Sequence, residues 1–220
     1  MLSIACRLVR CFLWLAAYGL LLVFVNAPSM AAPPIRIVCL GDSLTAGFNL
    51  PAADAFPAQL QQALASRGLS VTVLNAGVSG DTSAGGLARL DWMLADHPDY
   101  AIVELGINDA LRGIDPKVTY ANLDAILSRL QSSGVKVLLA GMLAPRNLGV
   151  PFVEAFDAIY PRLQKTHQVP LYPFFLDSVA MQPTLLQEDG LHPNRQGVAV
   201  IVQHIIPTVE QWLPKSSAHP

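Results

Sequence analysis

The chain has 220 residues, 52% of them hydrophobic and 14% charged, with a formal net charge of −2. That length accommodates one domain with a full core, or two small ones. The slightly acidic balance, without any basic run or stripe, excludes a nucleic-acid-binding surface.

The first segment differs in kind from the rest. Arg7 and Arg10 precede an apolar run over 11–25, followed by the small-residue stretch Asn26-Ala27-Pro28-Ser29-Met30-Ala31-Ala32. A basic start, a short apolar core and a small-residue site describe a secretory signal peptide. The expected organisation is a leader over 1–32 and a single domain over 33–220, with the mature chain beginning between Pro28 and Pro33. The apolar run is shorter than the ~20 residues of a spanning helix, which weighs against an uncleaved anchor. Removing the leader takes away two arginines and no acidic residue, so the net charge moves from −2 to −4. It also removes Cys6 and Cys11, leaving Cys39 alone, so the exported domain holds no internal disulfide and relies on its core.

From Ile35 onward, apolar runs alternate with amphipathic stretches. A strand over 35–40 ends in Gly41-Asp42-Ser43, and a helical pattern follows over 55–66 with Gly68 as its stop. A strand over 70–75 leads into Asn75-Ala76-Gly77-Val78-Ser79-Gly80-Asp81-Thr82, then a helix over 83–96 whose apolar stripe takes in Trp92 and Met93. The third strand, 100–105, ends in Gly106-Ile107-Asn108-Asp109 and a loop reaching Pro116, before a helix over 116–132 stopped by Gly134. A strand over 135–140, a helix over 152–166 and a strand over 170–174 come next. Asp189-Gly190-Leu191-His192-Pro193-Asn194 then precedes a last helix over 194–213. This alternation implies an α/β fold: a three-layer α/β/α domain around a flavodoxin-like, five-stranded parallel sheet.

In a parallel sheet, the turns that follow the strands emerge at one edge, where ligands bind. Taken alone, Gly41-Asp42-Ser43 also reads as a helix cap, since Asp and Ser are favoured there. Its convergence with His192, Asp189 three residues earlier, and Asn108 assembles the parts of acyl transfer. A serine hydroxyl is a poor nucleophile until a base takes its proton. The Asp-x-x-His spacing lets one turn present a base and the carboxylate that orients it. Asn suits an oxyanion because its amide donates without titrating. Asp42 and Asp109 are expected to hold turns, His97 and His167 to be solvated helix-end residues, and His204 to be packing or surface. There is no G-x-S-x-G elbow, which separates this chain from ordinary α/β-hydrolases.

These blocks resemble those of the SGNH, or GDSL, hydrolase family. The similarity runs along the mature chain through SGDTSAGGLARL, VELGINDALRG, EAFDAIYPRL, VPLYPFF and DGLHPN, in order, as in the periplasmic acyl-thioesterase, arylesterase and lysophospholipase group. The resemblance implies Ser43 as nucleophile, His192 as general base and Asp189 as its orienting carboxylate. It implies the Ser43 and Gly80 backbone N–H groups and the Asn108 amide as oxyanion donors. One departure is visible: the third block of the family usually reads GGND, and here Ile107 replaces the second glycine.

Leu111, Ile114, Leu143, Leu148 and Val150, in loops after the third and fourth strands, are expected to favour a greasy acyl chain. Leu111, Ile114 and Leu148 are the candidate substrate-binding residues. The rival readings are a carbohydrate O-deacetylase on the same scaffold, a metal-dependent hydrolase using Asp42, Asp109, Asp189 and His192, and a non-catalytic lipid carrier. A single His with scattered carboxylates lacks the spacing of a metal site. The favoured reading is a secreted serine hydrolase of acyl esters and thioesters. It is expected to work as a monomer in the periplasm or outside the cell, with no cofactor, metal, nucleic-acid partner or membrane anchor after cleavage.

Overall fold

Ile37, Val38, Cys39 and Leu40 are buried from both faces of a sheet, with exposures of 0–1%. They form the middle of strand β1 (Ile35–Gly41), which pairs in parallel with β2 (Val71–Gly77) on one side and β3 (Tyr100–Glu104) on the other. β4 (Lys136–Ala140) pairs with β3, and β5 (Leu171–Tyr172) pairs with β4, giving the order β2-β1-β3-β4-β5. This computed structural model describes residues 33–214, so the proposed leader over 1–32 lies outside the described residues. The expected flavodoxin-like parallel sheet is the observed one.

The helices follow from local signals. α1 (Ser43–Ala46) is one turn capped by Asp42, and α2 (Phe56–Ala65) buries Phe56, Leu60 and Leu64. α3 (Ser83–Ala88) and α4 (Leu90–Leu94) follow β2; α5 (Ile107–Leu111) and α6 (Pro116–Ser132) follow β3. α6 buries Thr119, Leu123, Ile126, Leu127 and Leu130, one stripe at helical spacing. α7 (Val150–Asp157) and α8 (Ile159–His167) follow β4. α9 (Arg195–Trp212) is capped by the Asn194 carboxamide, which accepts from the N–H groups of Gln196 and Gly197. α2 packs with α9, while α6 packs with α3 and α8. Right-handed crossovers to the two sides of β1 place these groups on opposite faces of the sheet. At the amino edge of the sheet, the Trp212 ring meets Tyr100, the first residue of β3, edge-on at 4.8 Å.

Several expectations need correction. The helix expected over 83–96 breaks at Arg89, whose guanidinium leaves the helix surface to bond two strand-end carbonyls and the Asp81 carboxylate. The helix expected over 152–166 starts at Val150 and breaks at Ala158, because Pro161 has no N–H for the Asp157 carbonyl. The fifth strand keeps two residues of the expected 170–174, and Pro170 and Pro173 bracket it. The stretch after Gly106, expected as loop, is helical to Leu111. Met93 is fully buried, but Trp92 is 65% exposed and is not core. His167 is not solvated: its ring lies between Asp124 Oδ1 at 2.8 Å and Gln131 Oε1 at 3.0 Å. His97 and His204 are exposed.

Candidate active site

The turn after β1 is built around a short helix start. Asp42 Oδ1 accepts from the Leu44 N–H at 3.0 Å, which tightens the chain into α1 and leaves Ser43 as its first residue. Gly41 has no room for a side chain: a Cβ there would lie 2.7 Å from Glu104 Oε2 and would collide with the Thr45 hydroxyl. Ser43 Oγ faces His192 Nε2 at 2.9 Å, and His192 Nδ1 faces Asp189 Oδ2 at 2.7 Å. The second Asp189 oxygen accepts from the N–H groups of Leu191 at 2.9 Å and His192 at 3.0 Å. Those two backbone donors, led by His192, hold the Asp189 carboxyl down at about 2, and the imidazole adds to the effect. Asp189 therefore stays ionised and can stabilise an imidazolium.

The imidazole is also fixed from outside the triad. The Phe48 ring lies 4.6 Å from it, centroid to centroid. Gln187 ties the two loops together, donating from Nε2 to the carbonyls of Phe48 at 2.8 Å and Pro193 at 3.0 Å. Neither contact is signalled in the sequence, since Phe48 and Gln187 meet only through the fold.

Asn108, in the first turn of α5, donates from Nδ2 to Asp42 Oδ2 at 3.0 Å, which leaves its second amide hydrogen for the pocket. Burial pushes the Asp42 carboxyl up to about 6, against the lowering effect of Leu44, Asn108 and His192. Gly80 sits on the turn after β2, which docks on β1 through a bond from the Val78 N–H to the Gly41 carbonyl at 3.1 Å. The Gly80 carbonyl accepts from Arg112 Nη2 at 2.6 Å, joining that turn to the end of α5. Ile107 has an ordinary negative φ, so the departure from a second glycine causes no strain. Its neighbour Gly106 does need its freedom, with φ of 122° and no room for a Cβ beside the Tyr160 hydroxyl.

A pocket of about 180 Å³ opens at Ser43, lined by Leu44, Ile107, Asn108, Leu111, Pro145, Leu176, Leu191 and His192. Of the expected substrate-binding residues, Leu111 lines it and is 54% exposed. Ile114 and Leu148 do not line it: Ile114 closes the turn onto Asp109, and Leu148 is packed against the core. Leu176 and Leu191 take those places, and Leu191 was hidden in plain view between Asp189 and His192. Gly80 is not among the lining residues.

The four groups of the metal reading do not converge. Asp109 is fully buried and accepts from Ser83 N–H at 2.8 Å and Thr119 Oγ1 at 3.2 Å, holding α5 to α3 and α6. Asp42 is spent on Leu44 and Asn108, and among these four only Asp189 meets His192. Among the described residues, no three His, Cys, Asp or Glu groups gather at metal-binding range.

Comparison with known proteins agrees with this architecture. Residues 39–200 match the GDSL-like lipase/acylhydrolase family. The chain is 40% identical to an arylesterase of Vibrio mimicus over 182 residues, covering 82% of this chain and 90% of that one. It is 41% identical over 197 residues to thioesterase 1/protease 1/lysophospholipase L1 of Escherichia coli strain K12, covering 89% and 88% of the two chains. The crystal structure of TesA superposes with a TM-score of 0.77 at 37% identity, covering 81% of this chain and 99% of that one.

Proposed function

The chain belongs to the GDSL-like lipase/acylhydrolase family, and from that premise we propose that it hydrolyses carboxylic esters and thioesters through a Ser43–His192–Asp189 triad and an acyl-enzyme. The carrying observation is the continuous line from Asp189 Oδ2 through the imidazole to Ser43 Oγ, with links of 2.7 and 2.9 Å, at the mouth of an apolar pocket.

His192 Nε2 takes the Ser43 proton as Oγ attacks the acyl carbon, and Asp189 stabilises the imidazolium that forms. The negative oxygen of the tetrahedral intermediate is held by the Ser43 N–H, the Gly80 N–H and the free hydrogen of Asn108 Nδ2. His192 then protonates the departing alkoxide or thiolate. Water, deprotonated by the same imidazole, releases the acid from Ser43. The residues supply nucleophile, base and oxyanion donors without drawing on any cofactor.

The substrates are small acyl compounds: aryl esters, acyl thioesters and lysophospholipids. Leu44, Ile107, Leu111, Leu176 and Leu191 favour an acyl chain longer than acetyl. The pocket of about 180 Å³ lies below the ~300–1,000 Å³ of drug-sized sites, which favours short to medium chains. The enzyme acts as a monomer, exported to the periplasm or beyond by the leader over 1–32 and free of the membrane once that is cut.

Fluorophosphonate labelling with peptide mapping tests the nucleophile, and a panel of p-nitrophenyl esters and acyl thioesters tests the substrate. The adduct is expected on Ser43, with Ser43→Ala folded, unlabelled and inactive. Turnover by folded Ser43→Ala would overturn the mechanism, and strict preference for acetyl groups would assign the chain to carbohydrate O-deacetylation instead.

A further inference from the structure

Directly beneath the nucleophile turn lies a carboxyl that the mechanism above does not use. Glu104 is the last residue of β3 and is 1% exposed. Its Oε2 accepts from the Thr45 hydroxyl at 2.8 Å and from the Asp42 N–H at 3.4 Å. Thr45 and Asp42 flank the Ser43-Leu44 pair, so one carboxyl oxygen supports the nucleophile from both sides. Oε1 is buried without a hydrogen-bond partner among the described residues.

The two neighbouring carboxyls are provided for differently. Asp42 has a donor on each oxygen, Leu44 N–H on Oδ1 and Asn108 Nδ2 on Oδ2, with His192 nearby. The Thr45 hydroxyl and the Asp42 N–H both fall on Oε2 of Glu104, the Thr45 backbone adds a smaller favourable effect, and no described cation forms a salt bridge with it. An ionised Glu104 would leave a charged oxygen in the core with nothing donating to it, a cost that buried groups escape by neutralising. Two unscreened negative charges side by side cannot both persist. The groups facing Glu104 are Asp42 and Cys39 from β1 and its turn and Tyr160 from α8. Asp81 lies on the Asp42 side but is paired with Arg89, whose guanidinium also bonds the Gly41 carbonyl and reaches neither Glu104 nor Asp42 by a hydrogen bond. None of the groups facing Glu104 is a cation, and burial followed by the Asp42 charge pushes the Glu104 carboxyl well above the usual range.

We propose that Glu104 is a positioning residue of this site: a neutral carboxylic acid whose Oε2 supports the Ser43 turn, and whose neutrality leaves the pair's single negative charge on Asp42, where it orients the Asn108 amide. The proton sits on Oε1, which leaves Oε2 as the carbonyl oxygen that both donors require. This rests on the reading of Ser43 and Asn108 given above. A glutamine reproduces the arrangement, with its carbonyl at Oε2 and its amide nitrogen at Oε1, whereas an alanine leaves the turn unsupported.

Infrared difference spectra and steady-state kinetics on an aryl ester, with wild type, Glu104→Gln and Glu104→Ala, test this. Wild type at neutral pH is expected to show a protonated-carboxyl C=O band that Glu104→Gln abolishes. Glu104→Gln is expected to retain kcat within about threefold, and Glu104→Ala to lose about tenfold or more in kcat with KM unchanged, the pattern of a lost transition-state interaction. Urea unfolding of each variant reports whether it is folded. No band in the wild type, Glu104→Gln as impaired as Glu104→Ala, or full kcat in Glu104→Ala would each overturn the proposal. Failure of the wild type to label at Ser43 would refute the hydrolase reading instead, and the carboxyl band still reads the Glu104 proton directly.

Discussion

Asn108 spends one amide hydrogen on Asp42 and keeps the other for the pocket, so its geometry is set before substrate arrives. Removing one preorganised oxyanion donor typically costs ~10²–10³ in kcat, so Asn108→Ala should fall by that amount in a p-nitrophenyl ester assay with KM little changed. Leu176 lines the pocket from the loop after β5 and is half-buried. Each buried methylene is worth ~0.8 kcal/mol, so Leu176→Ala should lower kcat/KM for medium-chain esters by about tenfold while sparing acetyl esters. A uniform loss across chain lengths would show that Leu176 holds the loop rather than the chain. Ser43, Asp189 and His192 were legible in the sequence because each sits in a local turn signal. Phe48, Leu176 and Glu104 were not, since they acquire their roles by meeting residues far away in the chain, Phe48 reaching His192 for example.

The break between α3 and α4 shows what periodicity cannot register. Apolar spacing over 83–96 suits one helix, yet Arg89 at the junction donates to the carbonyls of Ala76 at 2.7 Å and Gly41 at 2.9 Å, and to Asp81 Oδ2 at 2.7 Å. The ends of β1 and β2 are thereby held together beside the nucleophile turn. The Arg89 and Asp81 side chains are 18% and 12% exposed, and breaking a buried pair from one side costs ~3–5 kcal/mol, reduced here by the remaining contact with solvent. Arg89→Met is expected to lower stability by about 2–4 kcal/mol in urea unfolding on that basis. Arg89→Lys should recover little, because a single ammonium cannot span three acceptors in a fork. Recovery to wild-type stability by lysine would show that charge alone matters there. The other missed break, at Ala158, was available from Pro161, whose missing N–H is a sequence-level fact.

Across the whole molecule, the alternation of runs was enough to find the sheet and its five strands, because β1, β3 and β4, buried on both faces, leave continuous apolar runs that fix the spacing of the half-buried β2 and β5. The buried carboxyl pair beneath the site, Asp42 and Glu104, was not legible as a pair, and it shapes the stability of the entire fold. Asp42 is pushed up to about 6 by burial, and burial with the Asp42 charge pushes Glu104 well above the usual carboxylate range. A carboxyl whose folded value is raised contributes stability that is fully present below its unfolded value of about 4 and is lost as pH rises through the folded value. The urea midpoint should therefore decline between pH 5 and 7, and Glu104→Gln should remove about 1.4 kcal/mol per pH unit of that decline just above the ordinary glutamate range. A variant that parallels the wild type would show Glu104 to be ionised. The contact between Trp212 and Tyr100 has a practical side as well. α9 finishes at the edge of the sheet where β1 begins, so the domain starts and finishes at the amino edge, roughly 20 Å of strand away from the pocket. A bead or electrode coupled beside Ile35 or Trp212 therefore holds the described domain with its mouth turned outward, and a preparation tethered next to Trp212 should hydrolyse soluble aryl esters with the kcat/KM of the free protein.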